Sequence, residues 1–137
     1  MVYIQTEYLG GLRCQATHGP SQSSLLTDAP IDNHGQGASF SPTDLVATAL
    51  ATCILTTLGI IAQRLDIDLV GAKITIGKEM NPTAPRRISQ LTLAIFIPIS
   101  VTHPHRERLE NAARACPVHL SLHPEVEQSL AFQWAPL

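Results

Sequence analysis

The segment SPTDLVATALATCILTTLGIIA, residues 41–62, decides the fold of this 137-residue chain. It opens as helices typically do, with a serine before a proline and an acidic residue in the first turn. No charged residue interrupts it from Leu45 to Ala62. We expect one helix from Pro42 to about Leu65, about 36 Å long at about 1.5 Å per residue. A helix that is apolar on every side needs cover on every side, so the segment predicts a buried central helix.

The length of the apolar run requires a comparison with a membrane span, for which about 18 apolar residues are the minimum. Threonine, alanine and glycine make up much of this run, however, and the rest of the chain is patterned as short strands. We therefore expect the core helix of a soluble domain, without a membrane partner.

The composition predicts a single domain that covers residues 1–137. Hydrophobic residues make up 45% of the chain and charged residues 15%, which is enough apolar material for one core. A net charge of −2 and singly scattered lysines and arginines argue against nucleic acid as a partner. The first residues lack the basic start and apolar run of a secretory leader. With an odd number of cysteines as well, we expect a cytoplasmic protein with reduced thiols.

Alternation of apolar and polar residues predicts strands on both sides of the long helix. The predicted elements are strands at 2–8, 12–18 and near Leu25, the long helix, strands at 70–77 and 91–99, helices at 105–115 and 116–122, and a strand at 130–134. Gly10-Gly11 is a hairpin signal between the first two strands. Pro98 argues that its strand lies at an edge or ends there. The order βββ-α-ββ-αα-β predicts an α+β domain with antiparallel sheets.

Two of the three cysteines lie in settings that suit redox chemistry. Cys53 is in the wall of the long helix, and Cys116 stands at a helix boundary directly before Pro117. In a two-cysteine cycle, one thiolate attacks an oxidant and becomes a sulfenic acid, which the second thiol condenses into a disulfide. The competing interpretation is that Cys53 is an ordinary core residue, because free cysteine is among the most buried residue types.

Three motifs resemble the OsmC/Ohr family of peroxide-handling proteins: Ser41-Pro42-Thr43-Asp44-Leu45, Ala49-Leu50-Ala51-Thr52-Cys53 and Cys116-Pro117-Val118-His119. The order of elements agrees over nearly the whole chain. The resemblance implies an OsmC-like fold and an intertwined homodimer with two active sites at the subunit interface. It also implies reduction of organic hydroperoxides, with Cys53 peroxidatic, Cys116 resolving and a dithiol as reductant. A helix that is apolar all round independently favours the dimer, since one small subunit can hardly cover it.

A reactive thiolate at Cys53 requires a nearby cation. Cys53 lies about three turns into its helix, too deep for the positive helix end to help, and apolar surroundings disfavour a thiolate. The family supplies an arginine from its N-terminal strands, and Arg13 is the matching residue here. The alternative is that Arg13 is a solvated strand residue. Because neighbours on a strand face opposite sides of a sheet, we expect Cys14 to be turned away and to take no part.

The surroundings of Cys116 allow two interpretations. At the start of a short helix, backbone N–H groups and the helix dipole favour a thiolate, and His119, one turn on, could hold a proton for it. Together with His123, and with His103 and His105 upstream, these side chains also suggest a metal site. No second cysteine pair accompanies them, so we predict neither a metal nor a cofactor. A non-enzymatic protein that binds a small apolar ligand is a further alternative.

One position departs from the family pattern. In the better-known peroxidase branches, a glutamate directly follows the proline and orients the catalytic arginine. Here Thr43 stands at that position and the acid comes one residue later, at Asp44. One residue is a rotation of about 100° on a helix, so Asp44 cannot take the place of that glutamate. We expect Arg13 to be held less firmly, and the peroxidase activity to be weaker or shifted in substrate.

Overall fold

In the computed structural model, which describes residues 1–136, the chain forms two compact units that divide between Val46 and Ala47. The elements are β1 (Ile4–Gly10), β2 (Arg13–His18), β3 (Ser24–Asp28), α1 (Pro42–Arg64), β4 (Lys73–Met80), β5 (Ile88–Ser100), α2 (Arg106–Ala113), α3 (Pro117–Ser121) and β6 (Glu127–Ala135). A single 3₁₀ turn, Ile31–Asn33, lies between β3 and α1. The predicted α+β order is confirmed.

The first unit is built on an antiparallel sheet in the order β1-β2-β3. The chain reverses between β1 and β2 through Gly10 and Gly11, which both have positive φ angles, of 86° and 61°. Glycine adopts this left-handed region without the steric penalty of a side chain, which explains the hairpin signal. In the β2–β3 pairing, Arg13 stands directly opposite Asp28.

The loop after β3 is fixed by close approaches of the backbone. The Cβ of any other residue at Gly35 would collide with the carbonyl oxygen of Ala29, and Gly37 has a φ of +61°. The N–H of Gly37 donates to the same carbonyl, at 3.2 Å, while the N–H of Ala29 donates to the carbonyl of Leu12. Only glycine fits at position 35, and the folded loop brings Gln36 beside the start of β2.

Helix α1 begins with a reciprocal cap. The Ser41 hydroxyl accepts the N–H of Asp44 at 3.1 Å, and the Asp44 carboxylate accepts the N–H of Ser41 at 2.9 Å. This arrangement satisfies two backbone donors that the helix itself leaves unpaired. The predicted start at Pro42 is confirmed, and the observed end at Arg64 lies one residue before the predicted one.

Within one chain, α1 is buried on one side only. Leu50, Ile54 and Leu58 are fully buried, whereas Thr52, Thr56 and Ile60 are exposed. In residues 1–136, α1 is the one helix that is long and apolar enough to cross a membrane, a test that the core helix of a soluble protein also passes. The prediction of a buried helix is therefore confirmed for one side of α1.

The second unit contains a sheet in the order β4-β5-β6, with β5 at its centre. Strand β4 is antiparallel to β5, but β6 is parallel to it. The expectation of antiparallel pairing throughout is wrong here, because α2 and α3 carry the chain back to the start of β5. The predicted apolar face of β5 is fully buried at Leu91, Leu93, Ile95 and Ile97.

Two details of this sheet differ from the sequence pattern. The strand predicted at residues 70–77 begins only at Lys73, because the Asp68 side chain accepts the N–H of Val70 at 2.9 Å and Gly71 has a φ of +96°. Pro98 lies in the central strand, so its placement at an edge is wrong. Regular pairing does end near Pro98. The last residue of β5 that pairs with β4 is Phe96, and the register with β6 shifts between Ile97 and Ser100.

Candidate active site

The second unit brings Cys53 and Cys116 together. Cys53 lies on α1 and is half-buried, while Cys116 is fully buried at the N-cap of α3. Both thiols are free, and Cys53 is close enough to Cys116 to raise the pKa of its thiol. Two neighbouring thiols, of which one is partly accessible, are the groups that a dithiol–disulfide cycle requires.

Cys116 is held as a neutral thiol. Burial raises its pKa above the ordinary value of 9.0, the N–H of His119 lowers it, and Cys53 raises it further through a hydrogen bond and through charge repulsion. The N–H of His119 lies 3.3 Å from the Cys116 sulfur. The expectation that this helix start favours a thiolate is wrong, because loss of solvation outweighs the backbone donors.

His119 links this thiol to the sheet. Its carbonyl oxygen accepts a hydrogen bond of 3.3 Å from the Gln128 side chain on β6. Its ring atom Nδ1 is buried and has no hydrogen-bond partner among residues 1–136. His119 therefore donates its backbone N–H to the Cys116 sulfur and has a ring nitrogen without a partner among the described residues. This agrees with the predicted role of His119 as a proton holder, which stays a prediction.

Arg13 has two side-chain partners in the first unit. Its Nη2 donates to the Gln36 side chain at 3.1 Å, and its Nε lies 3.8 Å from Oδ1 of Asp28. The Arg13 side chain is 46% exposed, and that of Asp28 is 2% exposed. Asp28 is not among the residues that the sequence patterns singled out. The register of the β2–β3 hairpin, which places these two residues opposite each other, is the signal that would have found it.

The chain matches a known protein family and a solved protein. Residues 35–130 match the family model described as OsmC-like protein. The chain belongs to the OsmC-like family. A solved protein of Psychrobacter arcticus 273-4, provisionally named an osmotic stress induced and detoxification response protein, is 39% identical to it, with a TM-score of 0.91. The likeness covers 97% of this OsmC-like chain and 96% of that one. The fold implied by the sequence motifs is confirmed.

Two more distant solved proteins share the OsmC-like fold. An organic hydroperoxide resistance protein of Elizabethkingia anophelis is 16% identical, with a TM-score of 0.77 over 98% of this chain and 96% of that one. A Legionella pneumophila protein, named an organic hydroperoxide resistance protein OsmC, is 18% identical, with a TM-score of 0.69 over 97% and 96%. At these identities the likeness shows the fold alone. No curated protein matches the chain.

Thr43 and Asp44, where the chain departs from the OsmC/Ohr motif, make contacts at the start of α1. Asp44 belongs to the cap of α1, as described above, and the Thr43 hydroxyl lies 3.3 Å from that of Ser41. Asp44 thus serves the start of its own helix. Cys14, the third free cysteine, is half-buried on β2 next to Arg13 and faces the opposite side of the sheet. Its predicted role as a bystander stays a prediction.

The histidines considered as metal ligands serve local turns of the OsmC-like chain. Nδ1 of His103 accepts the N–H of His105 at 3.2 Å, and Nδ1 of His123 accepts the N–H of Glu125 at 3.1 Å. Throughout the part of the chain that the structure describes, no group of three or more His, Cys, Asp or Glu side chains could hold a metal ion.

Proposed function

We propose that this OsmC-like protein is a thiol peroxidase that reduces organic hydroperoxides with Cys53 and Cys116. The observation that carries the proposal is the proximity of the two thiols: Cys53 is half-buried, and Cys116 is fully buried with a pKa that burial and Cys53 raise. Solved proteins of the same fold are named organic hydroperoxide resistance proteins, which supports the substrate class. A cytoplasmic location would keep both thiols reduced between turnovers.

The cycle has two chemical steps. The Cys53 thiolate attacks a peroxide oxygen, so that an S–O bond forms, the O–O bond breaks, and the alkoxide leaves as the alcohol after taking a proton. The Cys116 sulfur then attacks the sulfur of the Cys53 sulfenic acid. An S–S bond forms, the S–O bond breaks, and the proton of Cys116 leaves with the hydroxide as water. A dithiol reductant restores both thiols by disulfide exchange.

Burial of Cys116 suits it to the second step. Because its thiol is neutral at rest, it does not compete with Cys53 for the peroxide. Arg13, carried over from the resemblance, is the proposed cation that stabilises the reacting thiolate of Cys53.

We further propose that the protein acts as a homodimer. The side of α1 that carries Thr52, Thr56 and Ile60 is exposed in the single chain although the helix has no charge there. Large apolar residues are exposed on the first sheet as well: Ile4, Tyr8, Leu9, Leu25 and Leu26. Exposed large apolar residues in both units favour an association site. Sedimentation should give a dimer at micromolar concentration, and a folded, stable monomer would contradict the proposal.

Oxidation with one equivalent of cumene hydroperoxide tests the cycle. Peptide mapping should find a Cys53–Cys116 disulfide and a free Cys14. Cys53→Ser should abolish turnover, while Cys116→Ser should reduce one equivalent and then stall, with Cys53 open to over-oxidation. Cys14→Ser is the matched control and should turn over like the wild type. A bridge that contains Cys14, or thiols that stay reduced as in a passive ligand-binding protein, would contradict the proposal.

A further inference from the structure

Gln128 is a polar residue on the apolar face of the second sheet. In the parallel register of β5 and β6 it stands beside Leu91, which is fully buried. The next positions of β6 on the same face are all apolar: Leu130, Phe132 and Trp134. The Oε1 atom of Gln128 is buried and has no hydrogen-bond partner among residues 1–136. A buried amide with an unpaired oxygen is less favourable than an apolar side chain of the same size.

The nitrogen of this amide makes a hydrogen bond to α3. Nε2 of Gln128 donates to the carbonyl oxygen of His119 at 3.3 Å. The last four carbonyls of a helix have no partner within the helix, and His119 carries one of them because α3 ends at Ser121. Gln128 therefore pairs a carbonyl that α3 leaves free and holds this helix against the sheet.

His119 connects Gln128 to the sulfur of Cys116. The N–H of His119 donates to that sulfur at 3.3 Å, and Cys116 is the N-cap of α3. Helix α3 has only five residues, whereas isolated helices shorter than about 12–15 residues are marginal in water. The position of the Cys116 sulfur therefore depends on the contacts that hold α3 in place, and Gln128 contributes one of them through the residue that also contacts the sulfur.

We propose that Gln128 is the positioning residue of the resolving thiol, holding the turn that carries Cys116 so that its sulfur stays within reach of Cys53. The inference rests on the proposed function, in which Cys116 attacks the sulfenic acid of Cys53. All these residues belong to the second unit, which begins at Ala47. In this scheme Gln128 acts on the sulfur through the backbone of His119.

The variant Gln128→Met separates positioning from stability. Methionine is about as long as glutamine and removes both the donor of the hydrogen bond and the unpaired oxygen. These two losses have opposite effects on stability, so the urea midpoint should stay near that of the wild type. The disulfide step should nevertheless slow by about tenfold, because small displacements of reacting groups have large effects on rate.

The experiment measures the disulfide step by its competition with over-oxidation. Reduced protein is mixed with increasing amounts of cumene hydroperoxide, and mass spectrometry measures the sulfinic acid at Cys53. A second peroxide molecule oxidises the sulfenic acid to the sulfinic acid and leaves as the alcohol, unless Cys116 attacks first. The peroxide concentration that gives half over-oxidation is therefore proportional to the rate of the disulfide step.

This concentration should be about tenfold lower for Gln128→Met than for the wild type. The loss of the Cys53 thiol precedes the disulfide step and should keep the wild-type rate. Gln133→Met is the matched control, since it makes the same change at an exposed position of β6, and it should behave like the wild type.

Gln128→Glu tests the hydrogen-bond donor itself, and it also serves if Gln128→Met does not fold. A carboxyl group donates to the carbonyl of His119 only while it is protonated, and burial favours the protonated form. The rate of its disulfide step, divided by the wild-type rate at the same pH, should therefore rise as the pH falls from about 8 to about 5. A ratio that is the same at both pH values would overturn the inference.

Two results for the methionine variants would also overturn it. One is a concentration for half over-oxidation in Gln128→Met that equals or exceeds that of the wild type. The other is an equal decrease in Gln133→Met. The wild type alone tests the proposed function: if no Cys53–Cys116 disulfide forms with one equivalent of peroxide, the thiol cycle is wrong. If the disulfide forms and Gln128→Met matches the wild type, the cycle stands and only the role of Gln128 is wrong.

Discussion

The raised pKa of Cys116 predicts that the protein loses stability in alkaline solution. In the unfolded chain this thiol ionises near its ordinary pKa of 9.0, whereas in the folded protein burial and Cys53 keep it neutral to higher pH. Above that ordinary value, the unfolded state has released a proton that the folded state retains. The free energy of unfolding therefore falls as pH rises, by up to about 1.4 kcal/mol per pH unit, until the folded thiol ionises too.

Urea unfolding followed by circular dichroism, under reducing conditions between about pH 8 and about pH 10.5, measures this loss. Tyrosine and lysine also titrate in this range, so the informative quantity is the difference between wild type and Cys116→Ser. The free energy of unfolding of Cys116→Ser should fall less steeply with pH.

Two further variants make the assignment specific. Cys53→Ser should give an intermediate slope, because the burial of Cys116 remains while the charge of an ionised Cys53 is gone. Cys14→Ser, which removes a thiol outside the pair, should follow the wild type. Equal slopes for wild type and Cys116→Ser would refute the reasoning, since they would mean that Cys116 titrates alike in both states.

Two more predictions concern the first unit. Thr43→Glu should raise the rate of Cys53 oxidation by up to about tenfold, equivalent to about 1.4 kcal/mol of activation free energy. The reason is that a loosely held Arg13 would gain a second carboxylate. An unchanged rate would show that the existing partners of Arg13 suffice to orient it. Gly35→Ala should lower the free energy of unfolding by about 1–3 kcal/mol, since its Cβ would collide with the Ala29 carbonyl. Gly77→Ala, whose Cβ would meet only an ordinary contact at 3.9 Å, is its control, and urea midpoints that fall equally would contradict the steric argument.

Most of the helices and strands could be predicted from the sequence because the signals for them are local. The Ser41-Pro42 cap set the start of α1, and alternating apolar residues marked β5. The direction of β6 relative to β5 could not be predicted, because side chains alternate between the two faces in parallel and antiparallel strands alike. It was decided by α2 and α3, which carry the chain across the sheet. The strand start predicted at Val70 was wrong for a related reason. The alternation of apolar and polar residues continues through this segment, whereas in the structure a turn at Gly71 delays the start of the strand.

The candidate site was predictable to a different degree. The cysteine motifs implied a partnership of Cys53 and Cys116, and in the structure Cys53 is near enough to raise the pKa of Cys116, while the catalytic partnership stays a prediction. The ionisation of Cys116 was predicted with the wrong sign, because a sequence shows that a residue starts a helix but not how deeply it is buried. Asp28 was missed because its relation to Arg13 exists only in the register of two strands.

The parallel pairing of β6 has a consequence for the order in which the protein is made. During synthesis, α1, β4 and β5 emerge first, with one edge of β5 unpaired and its apolar face incompletely covered. Cys116 lies on the crossover that leads to β6, and the Gln128–His119 hydrogen bond ties that crossover to the strand. A nascent chain that stops before Glu127 therefore carries both cysteines without the hydrogen bond that ties the crossover to β6.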